Sequence, residues 1–251
     1  MNDYYWLIFT ALYALGLTLG GAWLFFRSRQ FSWAWLLMGV LLCLQTITLG
    51  VRGMDFDSCP IRGISEIFFF LGWALNAFYL LLGRLYRMSI IGVFTLPAIL
   101  FCMGVSWGCY HVPALLPPNC WITWHIGLAM LAYGAFGLSA VAGSVFLIQN
   151  SFLKRHHLLG RTKLLPPVRL LQGCMVRLSM VGFLLIIVSQ VLGYCSNQTI
   201  PAEKWIVAAC VSFGYLVLLL VVKFRGLPGR WMAWASIILY IISLSIFFVV
   251  K

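Results

Sequence analysis

The chain has 251 residues, 63% of them hydrophobic and only 9% charged, whereas a soluble domain keeps about a quarter of its residues charged. Eight membrane-crossing segments of roughly 20 residues would take about 160 positions, which leaves no room for a second, soluble domain. Five acids are too few for an acidic active-site cluster, and what the net charge of +12 means depends on where the basic residues lie.

Apolar runs long enough to cross a bilayer are predicted in chain order. The first, Tyr4–Phe26, follows Asp3 rather than a basic leader and stops at Arg27-Ser-Arg29, so a retained span is expected and not a cleaved signal. The second is Phe31–Val51. The third, Ile67–Leu82, begins after Ser65-Glu66, where a carboxylate meets free amides and the positive end of the helix dipole, so Glu66 is expected to cap. The fourth, Ser89–Trp107, contains Pro97, a kink that membrane helices tolerate. The fifth, Trp121–Gln149, is followed by the one long connection, 150–174, with Pro166-Pro167 in it; Met175–Tyr194, Trp205–Val222 and Trp231–Val250 complete the set. None of these runs has the ten-residue alternation of membrane strands, and backbone amides in hydrocarbon must be satisfied within their own segment. The expected fold is therefore all-α: a polytopic bundle of about eight transmembrane helices forming a single integral membrane domain over 1–251.

With the N-terminus outside, thirteen Lys and Arg fall in inner loops or at inner helix ends, and only Arg52, Arg62, Lys204 and Lys251 fall outside. That bias fixes both termini on the outer side. The positive charge is thus topological. No aromatic residues interleave the basic 154–169 stretch, so no nucleic-acid partner is expected, and anionic lipid headgroups would attract the same residues.

Of eight cysteines, Cys59, Cys109, Cys120 and Cys195 map to outer loops or outer helix ends. An oxidising exterior would allow Cys109 to pair with Cys120 and Cys59 with Cys195. No CxxC occurs, which argues against a thiol relay.

His156 and His157 follow Lys154-Arg155 and read as a solvated basic loop. His125 differs, because it falls one turn inside the outer end of the fifth run, in Trp121-Ile-Thr-Trp-His125, and an ionisable group in a span is a functional candidate by default. A neutral imidazole there could ligate haem iron through one nitrogen if a neighbour holds the other. The plainer alternative is an interfacial His bonded to a loop carbonyl beside the Trp121 and Trp124 belt. His111, in the outer loop, is a candidate second ligand. On the helix Gly127, Ala135, Ser139 and Gly143 form a small-residue stripe beside the His125 face, expected to admit another helix closely.

Along most of its length the sequence resembles the cytochrome c assembly family of membrane proteins, the CcsA, ResC, HemX and YpjD-like group. The segments that carry the resemblance are Cys59-Pro-Ile-Arg-Gly-Ile-Ser-Glu66, Arg87 through Pro97, Trp124-His125-Ile-Gly-Leu-Ala-Met-Leu-Ala-Tyr133-Gly-Ala-Phe-Gly-Leu138, Phe146-Leu-Ile-Gln149, Leu164-Leu-Pro-Pro-Val168 and Arg177 through Gly193. It implies a protein of cytochrome c biogenesis that handles haem at the outer face within a membrane complex that serves an apocytochrome c; a short, loop-poor chain with an oxidising outer side fits a bacterial cytoplasmic membrane, with a thylakoid as the alternative. The family's Trp-rich WGxxWxWD platform is not present in the matching stretch Gly193–Trp205. The resemblance therefore implies a haem-handling or accessory component of a haem lyase system rather than a complete enzyme, with His125 as the membrane ligand. The rival expectation is a HemX-like scaffold or regulator that has lost haem. A transporter would want paired charges at mid-membrane or two related halves with broken helices, and a nucleotide-driven protein a GxxxxGK[ST] run; neither occurs.

Overall fold

The structure is a computed structural model, and it describes residues 31–55, 63–86, 89–109, 120–154, 167–196 and 202–249. Among the described residues the chain is helical throughout, in seven helices: α1 (Phe31–Asp55), α2 (Ile64–Tyr86), α3 (Ser89–Gly108), α4 (Cys120–Lys154), α5 (Val168–Cys195), α6 (Ala202–Arg225) and α7 (Gly229–Val249). The predicted first span, 4–26, lies outside the described residues. Among the described residues four stretches are long and apolar enough to cross a membrane, Ile64–Leu82, Trp121–Phe152, Val168–Cys195 and Trp205–Arg225, and shorter apolar stretches lie in α1, α3 and α7. The chain is an integral membrane protein by this composition. It falls into two compact units, Met1–Pro118 and Asn119–Lys251.

In the first unit α2 packs on both α1 and α3. Glu66 does what its position predicts: its Oε2 accepts the Gly63 N–H at 3.0 Å, one half of a capping box. The helices are joined by polar contacts as well as by the close packing of buried Phe68, Leu71, Leu75 and Ile99. Ser65 Oγ donates to the Ser106 carbonyl at 2.7 Å, and Asn76 Nδ2 donates to the Met38 carbonyl at 3.2 Å and to Gln45 Oε1 at 3.3 Å. Trp73 Nε1 reaches Thr46 Oγ1 at 2.9 Å. Gly92 leaves the space that the Tyr79 ring occupies.

The second unit is built on α4, which packs against α5 and α7, with α6 bridging those two. Its 35 residues run about 50 Å at 1.5 Å each, beyond the roughly 30 Å of a hydrocarbon core. Ala132, Ala135, Phe136 and Leu138 of α4 and Leu171 and Met175 of α5 are fully buried, while Leu184, Val188 and Val191 turn outward. The small-residue stripe of α4 does admit neighbours, but it divides between two of them. Ser139 Oγ bonds the Met175 carbonyl at 3.2 Å and Ser179 Oγ at 3.1 Å on α5, whereas a Cβ at Gly143 would lie 3.1 Å from the Ala233 carbonyl of α7. Gly127 has no neighbour within 4 Å of that position.

Helix α5 starts at Val168, seven residues before the apolar run predicted from sequence. Pro167, at φ −55° and ψ 135°, supplies its N-cap, and the Leu170 and Leu171 N–H groups bond the Pro167 carbonyl. Arg169 and Gln172 interrupt the apolar pattern at the start of the helix, so the apolar run alone sets the boundary too late. Between α6 and α7 the chain reverses at Gly226, whose φ of 63° favours glycine; its N–H bonds the Val222 carbonyl at 3.2 Å, closing the helix end. Gln172 Nε2 donates to the Leu227 carbonyl at 3.3 Å, so the start of α5 and the α6–α7 turn lie at one end of the unit, and Gly229 packs there under the Phe146 ring of α4.

Candidate functional site

The other end of the second unit holds His125. It lies in the second turn of α4, half-buried, just after Trp121 and Trp124, which are 51% and 60% exposed, as interfacial aromatics are. Antiparallel packing brings the last turns of α5 opposite. There the imidazole Nδ1 lies 2.6 Å from the Ser189 carbonyl and 3.0 Å from Ser189 Oγ, and Ser189 Oγ donates to the His125 carbonyl at 2.7 Å.

These contacts define the tautomer. A carbonyl can only accept, so Nδ1 carries the proton and donates it to Ser189; the hydroxyl proton of Ser189 is spent on the His125 carbonyl, so Oγ too faces Nδ1 with a lone pair. In the neutral ring Nε2 is then the nitrogen with the lone pair, and no described residue hydrogen-bonds to it. A helix carbonyl has a second lone pair, so the contact need not break the α5 ladder. The ring fits because residue 193 is glycine: a Cβ there would lie 2.8 Å from Nδ1 and 3.0 Å from Cε1.

A neutral imidazole with one nitrogen tied to a carbonyl and the other bearing a lone pair is the arrangement that metal-ligating histidines use, because the tied nitrogen fixes ring orientation and raises basicity. The donor set suits a single axial ligand to a planar prosthetic group. It does not suit a chelated ion, since among the described residues no group of three or more His, Cys, Asp or Glu comes together.

Of the residues singled out from sequence, His111 lies outside the described residues. Cys109 and Cys195 are free thiols, and the side chains of their expected partners, Cys120 and Cys59, also lie outside them. Sequence reasoning missed Ser189 and Gly193. Their signal was present, because Ser189-Gln-Val-Leu-Gly193 puts two small residues one turn apart on a helix, the spacing that lets another helix or a ring approach.

The family model described as "Cytochrome C assembly protein" matches residues 61–251. The chain belongs to the cytochrome c assembly family. The match includes α2 through α7 and thus the whole His125 site. Protein HemX of Brevibacillus brevis is 28% identical over 189 residues, covering 72% of this chain and 68% of that protein. The cytochrome c biogenesis protein CcsA of Gloeobacter violaceus is 30% identical over 118 residues, 43% of this chain and 34% of that protein. CcsA of Chlorella vulgaris is 26% identical over 123 residues, 45% of this chain and 38% of that protein. The likeness to HemX is thus spread over most of both chains, whereas the likeness to these CcsA proteins spans little more than a third of their length.

Proposed function

We propose that this chain is a haem-handling or accessory component of cytochrome c biogenesis, acting at the outer face of a bacterial cytoplasmic membrane within a complex that serves an apocytochrome c. Family membership supports the biogenesis role. The single observation that carries the haem assignment is the 2.6 Å contact of His125 Nδ1 with the Ser189 carbonyl, which leaves Nε2 as a neutral donor at the Trp-flanked end of α4. Haem would be held through His125 Nε2, with His111 a candidate second ligand, and would supply the iron porphyrin that is delivered to the cytochrome. The protein's own part is to present the imidazole in one tautomer and one orientation, by Ser189 and Gly193. The missing Trp-rich platform in Gly193–Trp205 means that a partner supplies the rest of the haem surface, so the chain does not act as a haem lyase alone.

The test is an absorption spectrum with a pyridine haemochrome assay on protein purified in mild detergent, alone and after co-expression with assembly partners. A stoichiometric Soret band that disappears in His125→Ala supports the assignment; a band unchanged by that substitution overturns it. The second reading, a HemX-like scaffold or regulator without haem, is favoured by the broad two-way coverage with HemX. It predicts no haem under any of these conditions.

A further inference from the structure

The end of the second unit opposite His125 carries a feature that the haem assignment does not use. Between α4 and α7, just beyond the close approach of Gly143 to Ala233, lies an outward-facing groove of about 510 Å³, lined by Ser144, Leu147, Ile148, Phe152, Trp234 and Ile237 among others. Its polar groups make no demand on an occupant: Ser144 Oγ donates to the Ala140 carbonyl at 3.0 Å and Ser151 Oγ to the Leu147 carbonyl at 2.9 Å, both within their own helix. Ile148, Phe152 and Trp234 remain 38%, 46% and 46% exposed, so the walls are covered by no other part of the described chain.

The described charges at this end of the unit have one sign. Arg230 is exposed one helical turn before Trp234, on the same side of α7, and exposed Lys223 and Arg225 end α6 at the same end of the unit. The only acid after Glu66 is Glu203, which begins α6 at its far end. Arg230 does not serve its own helix, because a cation in a first turn meets the positive end of the dipole. An apolar groove with an exposed cation one helical turn from its lining residue Trp234, inside a membrane-spanning unit, matches an acyl chain beside an anionic headgroup.

We propose that this groove is a binding site for one anionic phospholipid, its acyl chain against Trp234, Ile237 and Phe152 and its phosphate on Arg230. The full chain, extracted in mild detergent, is titrated with phosphatidylglycerol and with phosphatidylcholine and read by native mass spectrometry. Wild type should retain one phosphatidylglycerol in preference to phosphatidylcholine. Arg230→Gln should lower that retention about five-fold, the share of one basic residue near an anionic surface, and leave phosphatidylcholine unchanged. Ser144→Phe, which fills the slot, should lower retention of both lipids at this site. Equal retention of the two lipids by wild type, or wild-type phosphatidylglycerol retention in Arg230→Gln, overturns the proposal and leaves Arg230 with a topological role alone; so does a Ser144→Phe variant that folds and binds as wild type does.

Discussion

His125 was conspicuous because ionisable groups are scarce in this chain, but the sequence left it open between a ligand and a structural histidine tied to a loop carbonyl. In the structure the carbonyl comes from α5, and it belongs to the residue whose hydroxyl bonds the His125 carbonyl in return. Two substitutions separate the parts of this anchor. Gly193→Ala puts a methyl group 2.8 Å from Nδ1 and should expel the ring from its seat, costing about 1–3 kcal/mol as an overpacked contact. Haem content in the pyridine haemochrome assay should fall toward that of His125→Ala. Ser189→Ala keeps the carbonyl that fixes the tautomer and loses only the hydroxyl, so haem content should stay near wild type while thermal stability drops by about 0.6 kcal/mol, the average for a hydrogen bond between membrane helices. If both variants behave alike, the carbonyl is not what holds the ring.

Helix starts were legible to within three residues except at α5, which begins seven residues early on Pro167, whereas helix ends run three to five residues past the apolar run in α1, α2, α4 and α6. What the helices pack against was legible only as a stripe. Small residues on α4 announced a close neighbour, but that Ser139 meets α5 and Gly143 meets α7 depends on where two other helices sit. The same limit applies to polar joints. Gln190 is one more polar residue in an apolar run until α6 places the Ala208 carbonyl at 2.9 Å and Ser212 Oγ at 2.7 Å from its Nε2. Gln190→Leu removes both bonds and should lower the thermal stability of the detergent-solubilised protein by about 1 kcal/mol, from about 0.6 per bond. Tyr215 of α6 behaves oppositely. Its ring stacks on Phe136 of α4 with centroids 3.6 Å apart and 7° between planes, and its buried hydroxyl has no hydrogen-bond partner among the described residues. Tyr215→Phe keeps the stack and removes the orphan group, so the same melting measurement should show a gain of about 1 kcal/mol, the lower end of the cost of leaving a buried polar group unsatisfied.

At the scale of the molecule, the asymmetry of Lys and Arg sets the expected orientation. The connection 155–166 is expected inside and the C-terminal end of α5 outside. On intact cells a membrane-impermeant maleimide should label a single-cysteine variant that keeps only Cys195, exposed at the end of α5, and should label Gly160→Cys in a cysteine-free background only after lysis. The reverse pattern would invert the topology and move His125 to the other face. The lipid groove proposed between α4 and α7 lies at the end opposite His125, so the same labelling also decides which leaflet supplies its phospholipid.

Composition, run length and the asymmetry of Lys and Arg determined by themselves that this chain is a membrane-embedded helical protein, because each is a one-dimensional quantity that hydrocarbon and the membrane potential read directly. The resemblance of Trp124–Leu138 and its flanks determined the family for the same reason, as an order of residues along a line. Tertiary structure alone decided the meaning of His125. A histidine's two nitrogens differ only through what each one touches, and Ser189 and Gly193 lie more than sixty residues away along the chain but within hydrogen-bonding and van der Waals reach in space. The groove beside Trp234 was likewise invisible in sequence, since its walls come from two helices whose spacing is set by Gly143 against Ala233.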